Sequence, residues 1–135
     1  GFNAAQLDTF LARNDILVCL LPLTPDTRGI LRAKTFAKMP KGASIINAAR
    51  GAHLIEDDLL AALKSGQIAS ATLDVFNTEP LPESHPFWTH PDVLITPHIA
   101  SLIDPISGGE VIAANIRCLD AGDTPIALTH VGQGY

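Results

Sequence analysis

Asp15-Ile16-Leu17-Val18-Cys19-Leu20-Leu21, closed by Pro22, is the stretch on which the reading of the fold turns. After Asp15 it is uninterruptedly apolar, too short for most helices and rich in branched side chains, as suits a buried strand of a parallel sheet. Pro22, Thr24 and Pro25 end it. On its N-terminal side, Asn3-x-x-Gln6 has the form of a capping box, and Leu7, Phe10 and Leu11 fall on one helical face. On its other side the spacing predicts a short helix over 33–38, stopped by Pro40 and Gly42.

The same alternation then repeats. Ala43–Asn47 reads as a strand and Glu56–Ser65 as a helix. Glu56, Asp57 and Asp58 sit in that helix's first turn, where its dipole favours acids, and Gly66 stands just past its end. A third strand is predicted over 68–75. A proline-rich loop over 77–92 follows, leading to a fourth strand over 93–96. Asp104-Pro105 reads as an N-cap and first helical residue of a helix reaching about Ala121. Gly108-Gly109 weakens that helix by roughly 1 kcal/mol per glycine. Strands alternating with helices predict an α/β parallel sheet with helices on both faces.

Bulk composition narrows the function. The 135 residues suit one domain or one lobe of a larger protein, and 47% hydrophobic content can build a core. A net charge of −5 with nine scattered basic residues argues against a nucleic-acid surface. No run of about 18 apolar residues predicts a membrane span. Gly1-Phe2-Asn3-Ala4 lacks the pattern of a signal peptide. Cys19 and Cys118 read as two buried thiols of a reducing compartment, with a disulfide as the alternative. A soluble, cytoplasmic piece is the expectation.

In α/β sheets ligands bind at the carboxyl ends of the strands. Arg50-Gly51 closes Ile45-Ile46-Asn47-Ala48-Ala49, Asp74 ends the third strand, Glu79-Pro80 lies just beyond, and Pro97-His98 follows the fourth. A guanidinium can hold a substrate carboxylate with two hydrogen bonds. A histidine can give a proton to a carbonyl oxygen as hydride reaches its carbon, and a neighbouring carboxylate would orient it. Taken singly, Arg50 reads as a solvated charge, His98 as a turn residue, Asp74 as a backbone cap and Glu79 as ordinary loop. Their meeting on one sheet edge favours a site, and leaves the reaction open. His85, His90 and His98 lack a recognisable zinc spacing, so no metal site is expected.

These segments resemble the D-2-hydroxyacid dehydrogenase family. Leu21-Pro22-Leu23-Thr24-Pro25-Asp26-Thr27 is similar to its loop beside the cofactor, and Asn47-Ala48-Ala49-Arg50-Gly51 to the segment with its substrate-binding arginine. Leu73-Asp74-Val75-Phe76-Asn77-Thr78-Glu79-Pro80 resembles the stretch with a nicotinamide-contacting aspartate and a histidine-pairing glutamate. Thr96-Pro97-His98-Ile99-Ala100 resembles the histidine motif. Pro80-Leu81-Pro82, the Phe87-Trp88-x-His90-Pro91 turn and the closing Gly134-Tyr135 are similar to the glyoxylate/hydroxypyruvate reductase A branch.

The resemblance implies a reductase of a small 2-oxo acid that uses NAD or NADP. Arg50 would bind the acid, His98 would be the acid/base and Glu79 would tune it. Asp74 would contact the nicotinamide amide, and Pro22, Leu23, Thr27, Ala49 and Arg50 would line the cofactor pocket. Trp88 would shape the substrate side or serve as an aromatic anchor of its loop. His53, His85, His90 and His130 receive no role. Residues 1–121 would be the C-terminal portion of a Rossmann-like NAD(P)-binding domain and 122–135 a tail.

The family's G-x-G-x-x-G loop is not in this sequence, because Gly108-Gly109 and Gly132-x-Gly134 stand in the wrong context. The first two strands of the usual domain are therefore expected to be missing. With the strand order 3-2-1-4-5-6, the run at 16–21 would lose its neighbours and Ala43–Asn47 would become an exposed apolar edge. Three situations are open: a portion of a longer polypeptide, a truncated product that dimerises or repairs its sheet, or direct pairing of the first two runs. Alternatives to the reductase are an inactive fragment and an NAD-sensing or interaction module. The intact enzyme is expected to be a homodimer.

Overall fold

The computed structural model describes residues 6–101 and 104–125. They fall into two compact units that divide after Ala100. In the first unit, helix α1 (Leu7–Leu11) precedes strand β1 (Ile16–Cys19), helix α2 (Ala33–Phe36) and strand β2 (Ala43–Asn47). A 3-10 turn at Gly51–His53, helix α3 (Glu56–Ser65), strand β3 (Ile68–Leu73), a 3-10 turn at Pro86–Thr89 and strand β4 (Val93–Ile95) follow. The second unit contains helix α4 (Pro105–Asp120), whose Asp104 cap accepts the Ser107 amide at 2.9 Å with Pro105 in the first turn. Asn3, half of the expected capping box, lies outside the described residues.

The four strands form one parallel sheet in the order β1-β2-β3-β4. The α/β parallel sheet expected from the sequence is therefore observed. In the first unit the helices expected on both faces pack on one, since Ile16, Val18 and Leu94 of the other are exposed. The expected isolation of the run at 16–21 is not observed: Ile16 to Cys19 pair with Ser44 to Asn47. Of the three situations, direct pairing of the first two runs is what the sheet shows. Ala43–Asn47 is an interior strand, flanked by β1 and β3, and its Ala43, Ile45 and Asn47 are buried. Strand order depends on where each connection lands, and the local apolar pattern that identifies a strand carries no such information.

Alternate residues set the two faces of the sheet. Leu17, Cys19, Ile45, Ala71 and Leu73 turn into the core with Leu11, Phe36, Leu59, Leu63 and Phe87. The opposite face presents Ile16, Val18 and Leu94 together with a Ser44–Ser70 hydroxyl pair 2.9 Å apart. Helix α3 ends at Gly66 in the left-handed conformation (φ 70°), as its sequence predicts. Burying Leu59 and Leu63 stabilises that helix by roughly 2 kcal/mol each, well above the tenths contributed by propensity, so packing holds it in place.

Both cysteines are free thiols. Cys19 is buried, and that burial pushes its pKa up against a smaller opposing hydrogen bond at Leu21. Cys118, expected to be buried too, is only partly so. Among the described residues no helix is long and apolar enough to cross a membrane.

Candidate active site

Parallel register brings the last residues of the strands level: Cys19 is opposite Asn47, Asn47 opposite Leu73, and Leu73 opposite Ile95. Every chain segment that leaves this row does so at the same edge of the sheet. Pro22, Arg50, Asp74 and His98 all come within three residues of it. The edge thus collects the residues singled out in the sequence, and its turns are fixed by buried polar side chains.

At the end of β2, Asn47 is fully buried. Its Oδ1 accepts the Ala49 amide at 3.2 Å and its Nδ2 donates to the Arg50 carbonyl at 3.1 Å. This side chain folds the turn that presents Arg50, whose guanidinium is exposed and donates back to the Ala49 carbonyl at 2.6 Å. Gly51 follows because nothing larger fits. A Cβ there would lie 1.9 Å from the Phe76 carbonyl carbon and 2.4 Å from the Asn77 amide. The Arg50 turn therefore rests directly on the loop that leads to Glu79.

Asp74 is only 3% exposed and its amide donates to the Asn47 carbonyl at 3.0 Å. Its carboxylate accepts the Thr96 hydroxyl and the amides of Ile99 and Ala100, both at 2.9 Å. Desolvation of Asp74 opposes its ionisation, but the hydrogen bonds from Thr96, Ala100 and Ile99 outweigh it and hold the pKa below the ordinary aspartate value. These donors flank His98 on both sides. His98 itself has φ 55°, a left-handed backbone that costs a side-chain-bearing residue roughly 1 kcal/mol. The grip of Asp74 on its neighbours is what keeps it there.

The His98 Nδ1 lies 2.8 Å from Glu79 Oε2, with both side chains about two-fifths exposed. The other Glu79 oxygen accepts the Phe76 amide at 2.9 Å. Those two bonds, His98 first, hold the Glu79 pKa below its ordinary value. Glu79 precedes Pro80 through a cis peptide. The arrangement orients one imidazole nitrogen on a carboxylate and leaves Nε2 as the one to meet a substrate.

A sequence profile described as D-isomer specific 2-hydroxyacid dehydrogenase, NAD binding domain, matches residues 1–100. The chain belongs to this family. It is 56% identical over 133 residues to the glyoxylate/hydroxypyruvate reductase A of Serratia proteamaculans, covering 98% of the chain and 42% of that protein. The corresponding Yersinia enterocolitica protein is 51% identical, covering 96% of the chain and again 42% of the relative. A D-2-hydroxyacid dehydrogenase of Xanthobacter autotrophicus, solved with NADPH and MES, superposes with a TM-score of 0.91 at 46% identity, covering 98% of this chain and 55% of that one. An NADPH-dependent glyoxylate/hydroxypyruvate reductase of Sinorhizobium meliloti, solved with NADP and sulfate, gives 0.91 at 41% identity, covering 99% and 44%. The chain thus spans about 42% of the length of these curated relatives.

Within this D-2-hydroxyacid dehydrogenase portion, the remaining sequence candidates take varied places. Thr27 closes its own loop by donating to the Pro22 carbonyl at 2.7 Å, while Ala49 is buried and Leu23 is exposed. Trp88 is half exposed and its indole N–H donates to the Pro82 carbonyl at 3.0 Å. His85 Nδ1 accepts the Phe87 amide and its Nε2 lies 3.5 Å from Glu56, while His90 accepts the Asp92 amide. His130 lies outside the described residues. Sequence reading gave no supporting role to Asn47, Gly51, His53 or Thr96. Only Asn47 carried a local signal, as a strand-end amide three residues before an arginine.

Proposed function

We propose that this chain carries the proton-transfer and carboxylate-binding part of an NAD(P)H-dependent reductase of small 2-oxo acids such as glyoxylate and hydroxypyruvate. The observation behind it is the 2.8 Å pair of His98 and Glu79 on the sheet edge that also bears Arg50. Arg50 would hold the substrate carboxylate with two hydrogen bonds. His98, oriented through Nδ1 by Glu79, would give the proton on Nε2 to the substrate carbonyl oxygen and become the neutral imidazole. A bound nicotinamide would supply the hydride to the carbonyl carbon, which completes the 2-hydroxy acid.

Part of a cofactor site fits the residues present. Pro22, Leu23, Thr27, Ala49 and Arg50 would line it beyond the carboxyl ends of β1 and β2, where ligands of α/β sheets bind. Asp74 accepts two donors on Oδ1 and one on Oδ2, so an acceptor position on Oδ2 would serve its contact with the nicotinamide amide. A glycine-rich phosphate loop is not among the 135 residues, and these side chains do not replace one. Trp88 is assigned to the substrate side. The NAD(P)-binding portion is taken to run over 1–121 with a tail over 122–135, in a cytoplasmic homodimer.

The test is oxidation of NADPH and NADH by the protein at its full natural length, with glyoxylate and hydroxypyruvate. His98→Ala is expected to lower kcat by about 10²- to 10⁴-fold. Unchanged turnover in that variant, or none in the parent with any 2-oxo acid, sinks the reading.

A further inference from the structure

His53 received no role from the sequence, yet it is one of the most enclosed polar residues of the molecule, with 0% exposure. It lies in the 3-10 turn that follows Arg50. Its backbone carbonyl accepts the Leu31 amide at 2.9 Å, beside Gly29 to Ala52 and Ile55 to Leu31 bonds of the same length. Its ring reaches the other way, with Nε2 3.3 Å from the Pro22 carbonyl and Nδ1 3.1 Å from the Arg50 carbonyl. One residue thus touches both ends of segment 22–31, which borders the proposed cofactor site.

Two carbonyls face one ring, one at each nitrogen. The Arg50 carbonyl already accepts two donors, Asn47 Nδ2 and the His53 amide, each at 3.1 Å. Both of its lone pairs are thereby used. The Pro22 carbonyl has one other donor, the Thr27 hydroxyl at 2.7 Å. Both ring nitrogens thus face carbonyl oxygens, and the one at Pro22 is the contact that reaches beyond the turn of His53 itself. Neither carbonyl is left without a donor if the ring is removed, so a side chain that refills the buried space leaves no unsatisfied acceptor.

We propose that His53 is a positioning residue whose Nε2–H, bonded to the Pro22 carbonyl, fixes the cofactor-side segment 22–31 against the turn that presents Arg50. The inference rests on the reductase reading for what the two segments bind. It goes beyond that reading by assigning their mutual placement to a buried histidine that touches neither ligand.

Amide side chains separate the two ring nitrogens: Gln places its nitrogen near Nε2 and Asn near Nδ1. In the protein at its full natural length, NADPH and NADH affinity is measured by fluorescence titration for the parent, His53→Gln, His53→Asn and His53→Leu. Thermal melts and the KM and kcat for glyoxylate accompany it. His53→Asn and His53→Leu are expected to weaken cofactor binding by about five- to tenfold, the scale of one lost hydrogen bond. His53→Gln should stay within about twofold of the parent, and kcat at saturation should change little in any variant. Equal weakening in all three, or none, overturns the proposal. So does a Leu variant that binds as the Gln variant does, since the two are close in size and only Gln can donate to the Pro22 carbonyl. If His53→Leu fails to fold, His53→Met, close to Gln in size and without a donor, takes its place. A parent that binds cofactor without turnover sinks the reductase reading and leaves the affinity series readable. A parent that binds neither cofactor overturns both.

Discussion

The turn carrying Arg50 and the turn carrying His98 are built on one plan with opposite electrical choices. Each is held by a polar side chain buried at a strand end, Asn47 for the first and Asp74 for the second. Asn47 is a neutral amide that ties down its own chain two and three residues later. Asp74 is a carboxylate that reaches across to a segment 22 to 26 residues away. An amide suits the first place because the turn offers it one N–H and one carbonyl. A carboxylate suits the second because all three of its partners are donors. Partner chemistry decides which group is buried, and the ionised one is used where its hydrogen-bond partners are all donors.

The plan fails most severely where the Arg50 turn meets the neighbouring loop. Gly51→Ala would drive a methyl into the Phe76 backbone, at 1.9 Å from its carbonyl carbon and 2.0 Å from its oxygen. No flexible side chain can give way there. We expect a loss of about 4 kcal/mol or more, at the far end of the range for a point substitution. Urea unfolding would read it, and a loss below about 1 kcal/mol would show that the two turns do not touch as described.

Exchanging the electrical choices comes next. Asn47→Asp would place a carboxylate oxygen against the Arg50 carbonyl where an N–H now donates. An uncompensated buried charge of this kind costs about 3 kcal/mol or forces protonation. Asp74→Asn would point an amide N–H at one of the backbone donors of Ile99 or Ala100. That costs about 2 kcal/mol, and kcat should fall along with stability as His98 leaves its left-handed backbone. If Asn47→Asp were tolerated better than Asp74→Asn, the matching of charge to donor count would be the wrong explanation.

Much of this was legible in the sequence. The four strands, the acid-started helix with Gly66 past its end and the Asp104-Pro105 helix start are all local patterns, and each was found within a residue or two of its place. The edge residues Arg50, Asp74, Glu79 and His98 were legible because each closely follows a strand. Strand order was left open, with direct pairing of the first two runs as one of three situations, since pairing depends on contacts between segments more than twenty residues apart. The service of Asp74 to the His98 turn and the enclosure of His53 are non-local in the same way. A histidine in a 3-10 turn carries no mark of what will be packed around it. Even Asn47, whose bonds are local, stood out only as the last residue of a strand.

The subtlest consequence of the two choices is a difference in acid. Folding lowers the Asp74 pKa, so the folded chain binds a proton at this site less readily than the unfolded chain. The stabilisation is complete above the ordinary aspartate range near ~3.9. It fades as pH falls below that value and is lost once the lowered folded pKa is passed. Glu79, also lowered, adds to the loss in the same direction. Asn47 does not titrate, so the Arg50 turn has no such dependence of its own. Amide exchange, corrected for the intrinsic effect of pH, should therefore show Ile99 and Ala100 losing protection before Ala49 as pH is taken from 6 toward 2.5. In Asp74→Asn the acid-dependent part of the difference should shrink to what Glu79 contributes, leaving Ile99 and Ala100 less protected at every pH. Simultaneous loss at all three amides in the parent would mean that the sheet edge opens as one unit, and that the charge on Asp74 does not set the stability of its turn separately.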